Sequence, residues 1–190
     1  MNVSNALFNM QANINYASAI KNIFDEYMFY DSVKRYNFII QFAIKSDNYY
    51  FTEERFNRLD KLMHTFKSIN EHKALQLTRK SNEELKRYIK KYATEEEKER
   101  FLYRERGISR LKGKENYKKF GDLLGIDLLK YASNAKRDII SCRIAMEFWI
   151  LNDCDKKINN IEELTKTVQG DCNYLYIEKI KKLMKALKIY

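Results

Sequence analysis

The side chains with the most evident chemical use in this sequence are lysines, an arginine and asparagines in its last third. Asparagine can make paired hydrogen bonds to adenine, and lysine can contact guanine or a phosphate group. Two groups of such residues are therefore candidate nucleic-acid-binding residues. The first group is Lys130, Asn134, Lys136 and Arg137, and the second group is Asn173, Tyr174, Lys179 and Lys182. Binding by these groups would be dominated by the neutralisation of phosphates.

The first group lies in the stretch 117–137, which resembles a helix-turn-helix. The stretch has an apolar residue, a small residue at the helix crossing, a second apolar residue, a turn glycine and a third apolar residue, at the offsets of that motif: Phe120, Gly121, Leu124, Gly125 and Ile126. The resemblance implies that the next helix would present the first group to DNA. The alternative is a helix with a glycine C-cap followed by another helix, with no role in DNA binding.

The second group lies in the stretch 143–190, which resembles the three-helix part of a winged-helix domain without its β-wing. Asn160 and Glu163 would open the second helix as a capping box, and Gly170 would form the turn before the third. The resemblance implies that the second group occupies the exposed face of the third helix, against a major groove. The alternative is a C-terminal amphipathic helix that packs on the core and has a solvated lysine face.

Signals for catalysis are few, because the sequence has only two histidines, His64 and His72. Arg58 precedes His64 by six positions, a spacing that resembles the Arg-x4–6-His motif of HEPN-type ribonucleases. That resemblance implies RNA cleavage, and the alternative is an ordinary surface histidine. No metalloprotease motif, phosphate-binding glycine loop or nucleophile elbow is present. The sequence therefore predicts a protein that is not an enzyme.

The three cysteines, Cys142, Cys154 and Cys172, are widely spaced and form no CxxC pair. This spacing indicates neither a zinc site nor a redox motif, so no metal or cofactor is predicted. Buried free thiols are typical of a reducing compartment. Because the sequence also lacks a signal peptide and a long apolar run, we expect a cytoplasmic protein that does not span a membrane.

The elements that position these residues are predicted to be helices almost throughout. The 190 residues include no proline and only five glycines, the two residues that most disfavour helix interiors. The apolar periodicity predicts an all-α fold of about eight helices, with long ones over 5–30 and 127–152, the latter with a break allowed near Ser133. Thr52 is predicted to cap the third helix, with Glu53 and Glu54 in its first turn.

Two further capping boxes mark the starts of later helices. They are Ser81 with Glu84 and Thr94 with Glu97, and they predict helices near 82–93 and 95–106. The second of these helices is very polar, so we expect an exposed connecting helix over 95–106.

Charge is distributed unevenly along the chain, whose formal net charge is +10. Residues 1–60 hold six basic and seven acidic residues, whereas the rest hold thirty and nineteen. Gly107 begins the best candidate for a domain boundary. We therefore predict an N-terminal helical packing or dimerisation unit over 1–106 and a basic helical unit over 107–190.

These features together favour a non-enzymatic DNA-binding protein, such as a regulator or a replication or mobile-element accessory factor. DNA is preferred to RNA as the partner, and a homodimer is compatible with two-fold DNA sites. One alternative is a small phage- or plasmid-type helical interaction protein that acts as an inhibitor or adaptor of a host protein. Another is an RNA-binding subunit.

Overall fold

The computed structural model describes residues 2–79 and 82–187. Within these ranges the chain forms eleven α-helices and no β-strand, which confirms the all-α class but not the number of about eight helices. No helix in the described ranges is both long and apolar enough to cross a membrane. In chain order the helices are α1 (Val3–Asn9), α2 (Ala17–Glu26), α3 (Ser32–Lys45), α4 (Leu59–Thr65), α5 (Glu71–Thr78), α6 (Asn82–Tyr92), α7 (Glu95–Leu102), α8 (Lys114–Leu124), α9 (Asp138–Leu151), α10 (Ile161–Gln169) and α11 (Tyr174–Ala186).

The helix count is higher than predicted partly because the long predicted helices are interrupted. The helix expected over 5–30 divides into α1 and α2 at Gln11, whose φ of 53° is incompatible with a continuing right-handed helix. The helix expected over 127–152 begins only at Asp138. A turn and a short 3-10 helix, Ala132–Lys136, precede it. Apolar periodicity did not reveal the break at Gln11, whereas the break that was allowed near Ser133 falls within this 3-10 helix.

The third predicted helix starts later than its capping signal indicates. Thr52, Glu53 and Glu54 lie in a non-helical segment, and α4 begins at Leu59. Glu53 forms an isolated antiparallel bridge with Arg106 instead. Tertiary pairing therefore overrides the local preference for a helix start, and it moves two carboxylates away from solvent.

The capping box predicted at the start of α7 is present. Thr94 Oγ1 accepts a hydrogen bond of 3.2 Å from the Glu97 backbone N–H, and the Glu97 carboxylate accepts one of 3.0 Å from the Thr94 N–H. Ser68 N–H adds a third hydrogen bond to Glu97, at 2.9 Å. Of the other two predicted boxes, one begins at Ser81, which lies outside the described residues. In the other, at the start of α10, the Asn160 side chain accepts a 3.2 Å hydrogen bond from the Glu163 N–H.

Three apolar cores hold the helices together. Core 1 contains residues of α1–α3 and α9–α11, with Phe38, Phe42 and Trp149 at its centre. Core 2 takes its residues from 56–101, and core 3 takes its residues from 103–148. Core 1 combines chain from both sides of residue 107. A domain boundary at that point, which stays a prediction, would divide one core.

Candidate functional site

Two non-helical segments lie side by side where the three cores meet. One is the segment 51–58, and the other is the tight turn 106–111. Gly107 N–H donates to the Thr52 carbonyl at 2.9 Å, and Glu54 N–H donates to the Glu105 carbonyl at 2.8 Å. Arg106 and Leu111 exchange two backbone hydrogen bonds of 3.0 and 2.9 Å, which close the turn. These bonds place the side chains of both segments next to one another.

Glycine is required at the start of this turn. Gly107 has a φ of 69°, and a Cβ atom there would lie 2.6 Å from both the Ala135 carbonyl oxygen and Ser141 Oγ. Ser141 Oγ also accepts a 2.8 Å hydrogen bond from the Ile108 N–H. The turn is thus fixed against α9 by a close approach that any other residue would obstruct.

Glu53 lies at the centre of a group of charges that we call the charged cluster: Glu53, Arg104, Arg106 and Lys136. The Glu53 carboxylate is 2.8 Å from Arg104, 2.7 Å from Arg106 and 3.3 Å from Lys136. The Glu53 and Arg106 side chains are 15% and 4% exposed. Solvent screens such buried pairs only weakly. The ion pairs of Glu53 link the segment 51–58 to the segment 104–106 and to Lys136.

The charges of the cluster keep its carboxylate ionised. Burial alone would raise the pKa of Glu53, but Arg104, Arg106 and Lys136 together lower it below its ordinary value. Burial, and then the charge of Arg106, lowers the pKa of Arg104. Glu53 is therefore suited to accept hydrogen bonds from cations and is poorly suited to donate a proton.

Tyr117 completes the surroundings of the charged cluster. Arg106 Nη1 donates to Tyr117 Oη and to the Leu102 carbonyl, each at 2.7 Å. The Tyr117 hydroxyl in turn donates to the Arg104 carbonyl at 2.8 Å. Burial raises the pKa of Tyr117, which keeps the phenol protonated. The buried guanidinium of Arg106 therefore has partners on several sides.

Neighbouring charges also serve as links between segments. Glu54 is 3.0 Å from Lys61, and its side chain is 9% exposed. Lys45, at the end of α3, donates to the Val168 carbonyl near the end of α10 at 2.5 Å. Burial, and then the nearby charge of Arg110, lowers the pKa of Lys45. The charged groups closest to the junction of the cores are thus already engaged by the protein itself.

An unusual turn follows α3 directly. Asp47, Asn48 and Tyr49 have φ values of 52°, 53° and 66°, so three successive residues other than glycine are left-handed. Asn13 N–H donates to the Asn48 carbonyl at 2.9 Å, and Tyr49 N–H donates to Ser46 Oγ at 3.0 Å. Left-handed residues of this kind cluster at functional sites, where the surrounding structure holds them in place.

A surface groove lies beside this turn, between the C-terminal ends of α1 and α3 and one face of α11. Its volume is about 530 Å³, within the range of small-molecule sites. The floor is apolar and comes from Met10, α3 and α11. Its polar lining residues are Asn9, Gln11, Asp47, Asn48, Lys179 and Lys182. We refer to this feature as the groove.

The structure places the first predicted group of binding residues in turns rather than on a helix. Lys130 is exposed and lies over the ring of Tyr131, 5.2 Å from its centroid. Asn134 and Lys136 belong to the 3-10 helix, and Arg137 precedes α9. Lys136 is engaged by Glu53, so the helix that was predicted to present this group is absent.

The second predicted group is placed on or next to α11, as expected, but its members differ in surroundings. Asn173 caps α11 by accepting a 3.1 Å hydrogen bond from the Tyr176 N–H. Tyr174 is exposed. Lys179 and Lys182 line the groove. Asn173 and Tyr174 lie together in the lining of a separate surface pocket between α10 and the start of α11.

The Arg58–His64 pair is not arranged on one helix as its spacing predicted. Arg58 precedes α4 and has extended backbone angles. Its guanidinium makes two hydrogen bonds to Asp60, of 3.2 and 2.8 Å. His64 lies in α4 and is exposed.

Cys142 and Cys154 are buried free thiols, and Cys172 is half-buried. Burial raises the pKa of Cys142 and raises that of Cys154 to about 12, so both stay protonated. Throughout 2–79 and 82–187 there is no group of three or more acidic, histidine or cysteine residues arranged to hold a metal ion.

Sequence reasoning missed Glu53, Arg104 and Arg106. The first was assigned to a helix N-terminus, and the two arginines were assigned to a polar connecting helix. One signal was available: Arg104 and Arg106 are two positions apart, which places both side chains on one side of an extended segment. Their partner across the chain could not be identified without the fold.

The fold of the whole chain is similar to that of chitinase C. It superposes on chitinase C from Streptomyces griseus with a TM-score of 0.64 and 16% identity, over 98% of this chain and 92% of that one. A mutant of chitinase C gives a TM-score of 0.52 and 15% identity, over 98% of this chain and 68% of that one. No family model and no curated protein matches the sequence.

This likeness overturns the prediction of a non-enzymatic DNA-binding protein. The fold that covers nearly the whole chain is that of chitinase C, an enzyme-like fold rather than that of a non-enzymatic DNA-binding protein. The error has a physical origin. Excess lysine and arginine were interpreted as a phosphate-binding surface, whereas the fold uses Arg104, Arg106 and Lys136 to pair with Glu53.

Proposed function

We propose that this protein binds a polysaccharide that contains N-acetylglucosamine, with chitin as the first candidate ligand. The observation that carries the proposal is the superposition on chitinase C over 98% of this chain and 92% of that one. A likeness of this extent includes the helices on all sides of the groove and the segments that form the charged cluster. The low identity of 16% leaves the individual residues free to differ.

We further propose that binding takes place without hydrolysis. Cleavage of a glycosidic bond uses two carboxyl groups, one of them a protonated acid beside the scissile bond. Burial alone would raise the pKa of Glu53, but its three cationic partners lower it, which disfavours the protonated form that such an acid requires. Glu54 is close to Lys61, so it is also committed to an ion pair. Both carboxylates of the segment 51–58 thus support the fold instead of a reaction.

Sedimentation with insoluble chitin tests this proposal. The parent protein should appear in the chitin pellet in a saturable manner, and cellulose should serve as the polysaccharide control. Reducing ends should be measured in the same tubes, and they should not rise above the level of a tube without protein. Protein that stays in the supernatant with chitin would overturn the binding proposal.

A variant separates hydrolysis from binding. If the parent protein released reducing ends and Glu53→Gln did not, Glu53 would be a catalytic residue and the second part of the proposal would be wrong. Circular dichroism must show that Glu53→Gln is folded under the assay conditions. Glu99→Gln is the matched control, because Glu99 is half-exposed and pairs with Lys114, which is not a member of the charged cluster.

A further inference from the structure

The charged residues of the groove have no ion-pair partners within the described part of the chain. Lys179 and Lys182 lie three positions apart on α11, so their side chains project from one face of the helix. Asp47 faces the same cavity from the turn after α3. By contrast, Lys181 on the same helix pairs with Glu178 at 3.3 Å. The groove therefore holds two ammonium groups and one carboxylate that are available to a ligand.

The backbone of the groove is also unusual. Gln11, Asp47 and Asn48 all line it, and all three are left-handed residues other than glycine. Two of the three come from the turn after α3 and one from the turn after α1, so the feature arises independently in two parts of the chain. Backbone in this state is maintained where the position of a side chain matters.

The chemistry of the lining indicates an acidic sugar chain. Amide side chains on an apolar floor match the hydroxyl groups and the apolar faces of sugar rings. The lining has two lysines and one aspartate, so its net charge is positive. The groove therefore favours a ligand that carries negative charge. We infer that the groove binds an acidic saccharide, in which carboxylate groups on the sugars contact Lys179 and Lys182. This inference rests on the proposed function, and it specifies the charge of the ligand.

Calorimetric titration with two hexasaccharides tests the inference. Chitohexaose is neutral, and a hyaluronan hexasaccharide also contains N-acetylglucosamine but has a carboxylate on every second sugar. We expect the hyaluronan hexasaccharide to bind about tenfold more tightly than chitohexaose at low salt, or better. This difference in affinity should decrease as salt is added. The double variant Lys179→Ala/Lys182→Ala should lose about tenfold in affinity for the acidic chain and little for the neutral one.

A second double variant controls for overall charge. Lys181→Ala/Lys185→Ala removes the same number of charges from the same helix but no residue of the groove, so it should bind like the parent. Equal losses in both double variants would show attraction by net charge alone and would overturn the inference. Thermal unfolding should confirm that both variants are folded.

The remaining outcomes separate this inference from the proposed function. Equal affinity for the two hexasaccharides would overturn the acidic ligand and leave glycan binding intact, whereas no binding of either would overturn both. Free glucuronate is the third titrant. If glucuronate alone bound as tightly as the acidic hexasaccharide, the groove would be a simple carboxylate site and not a saccharide site.

Discussion

The charged cluster and the groove both take residues from one stretch of chain, 44–54, but charged side chains are paired in the first region and have no described ion-pair partner in the second. In the charged cluster, Glu53 has three cationic partners within 3.3 Å. In the groove, Asp47, Lys179 and Lys182 have no ion pair with any other described residue. The charges at the junction of the cores therefore stabilise the fold, whereas we propose that those at the groove contact a ligand.

The largest expected effect is the loss of Glu53. Glu53→Ala leaves three cations without their shared carboxylate, two of them largely buried, and should lower the free energy of unfolding by about 3 kcal/mol. Urea unfolding measures the change. Glu99→Ala removes a half-exposed ion pair with Lys114 and should cost less than about 1 kcal/mol. Similar costs for the two variants would remove the distinction between the cluster and the surface.

A smaller loss is expected from the turn that carries Arg106. Gly107→Ala places a Cβ 2.6 Å from two oxygen atoms and should destabilise the protein by about 2 kcal/mol or more. Gly125→Ala is the matched control, because Gly125 has a left-handed φ of 63° but a Cβ there meets nothing within 4 Å. Its cost should be about 1 kcal/mol, from the backbone alone. Equal costs would show that the close approach to Ala135 and Ser141 is unimportant.

Acid should weaken the fold through carboxylates that are ionised in the folded state. For Glu97, burial acts to raise the pKa, but hydrogen bonds from Ser68 and Thr94 outweigh it and lower the pKa from 4.5 to about 2. A lowered pKa stabilises the fold above the unfolded value, and this stability is lost as the pH falls from about 4.5 to about 2. Urea midpoints measured across that range should fall less steeply in Glu97→Gln than in the parent.

A substitution in the groove should raise the free energy of unfolding, whereas the substitution of Glu53 in the cluster should lower it. Gln11→Gly relieves a left-handed glutamine and should raise the free energy of unfolding by about 0.5 to 1 kcal/mol, while it removes an amide from the groove. Gln76→Gly in the exposed part of α5 should instead lose about 1 kcal/mol. A Gln11→Gly variant that is less stable than the parent would contradict the strain assigned to this turn.

The smallest effect on stability is expected from the groove lysines. Lys179→Ala/Lys182→Ala removes no ion pair with a described residue. The free energy of unfolding, measured by thermal unfolding, should therefore change by less than about 0.5 kcal/mol. A large decrease in the free energy of unfolding would mean that these lysines support the fold. The groove lysines would then not differ from Glu53 in this respect.

The all-α class could be predicted from the sequence because it depends on local properties. The absence of proline and the capping box at Thr94 act within a few residues, and both expectations agree with the structure. The break at Gln11 could not be predicted, since a left-handed glutamine is set by tertiary contacts rather than by its own preference. The late start of α4 has the same origin, because Glu53 pairs with Arg106 across 53 positions of the chain.

The candidate site was harder to predict than the fold. Lys179 and Lys182 were identified because they share one face of a helix, which is a property of the sequence alone. Their neighbours Gln11 and Asp47 come from distant turns, and only the fold brings them to the same groove. The predicted function of a non-enzymatic DNA-binding protein was wrong, because the positions of lysines in a sequence do not distinguish a cation that binds a ligand from one that is already paired, as Lys136 is with Glu53.

If this protein binds N-acetylglucosamine polymers without cleaving them, calorimetric titration of the folded parent protein with chitohexaose should give saturable heat. Intact hexasaccharide should be recovered from the cell afterwards. An absence of heat at millimolar chitohexaose, or recovery of shorter oligosaccharides, would contradict this proposal.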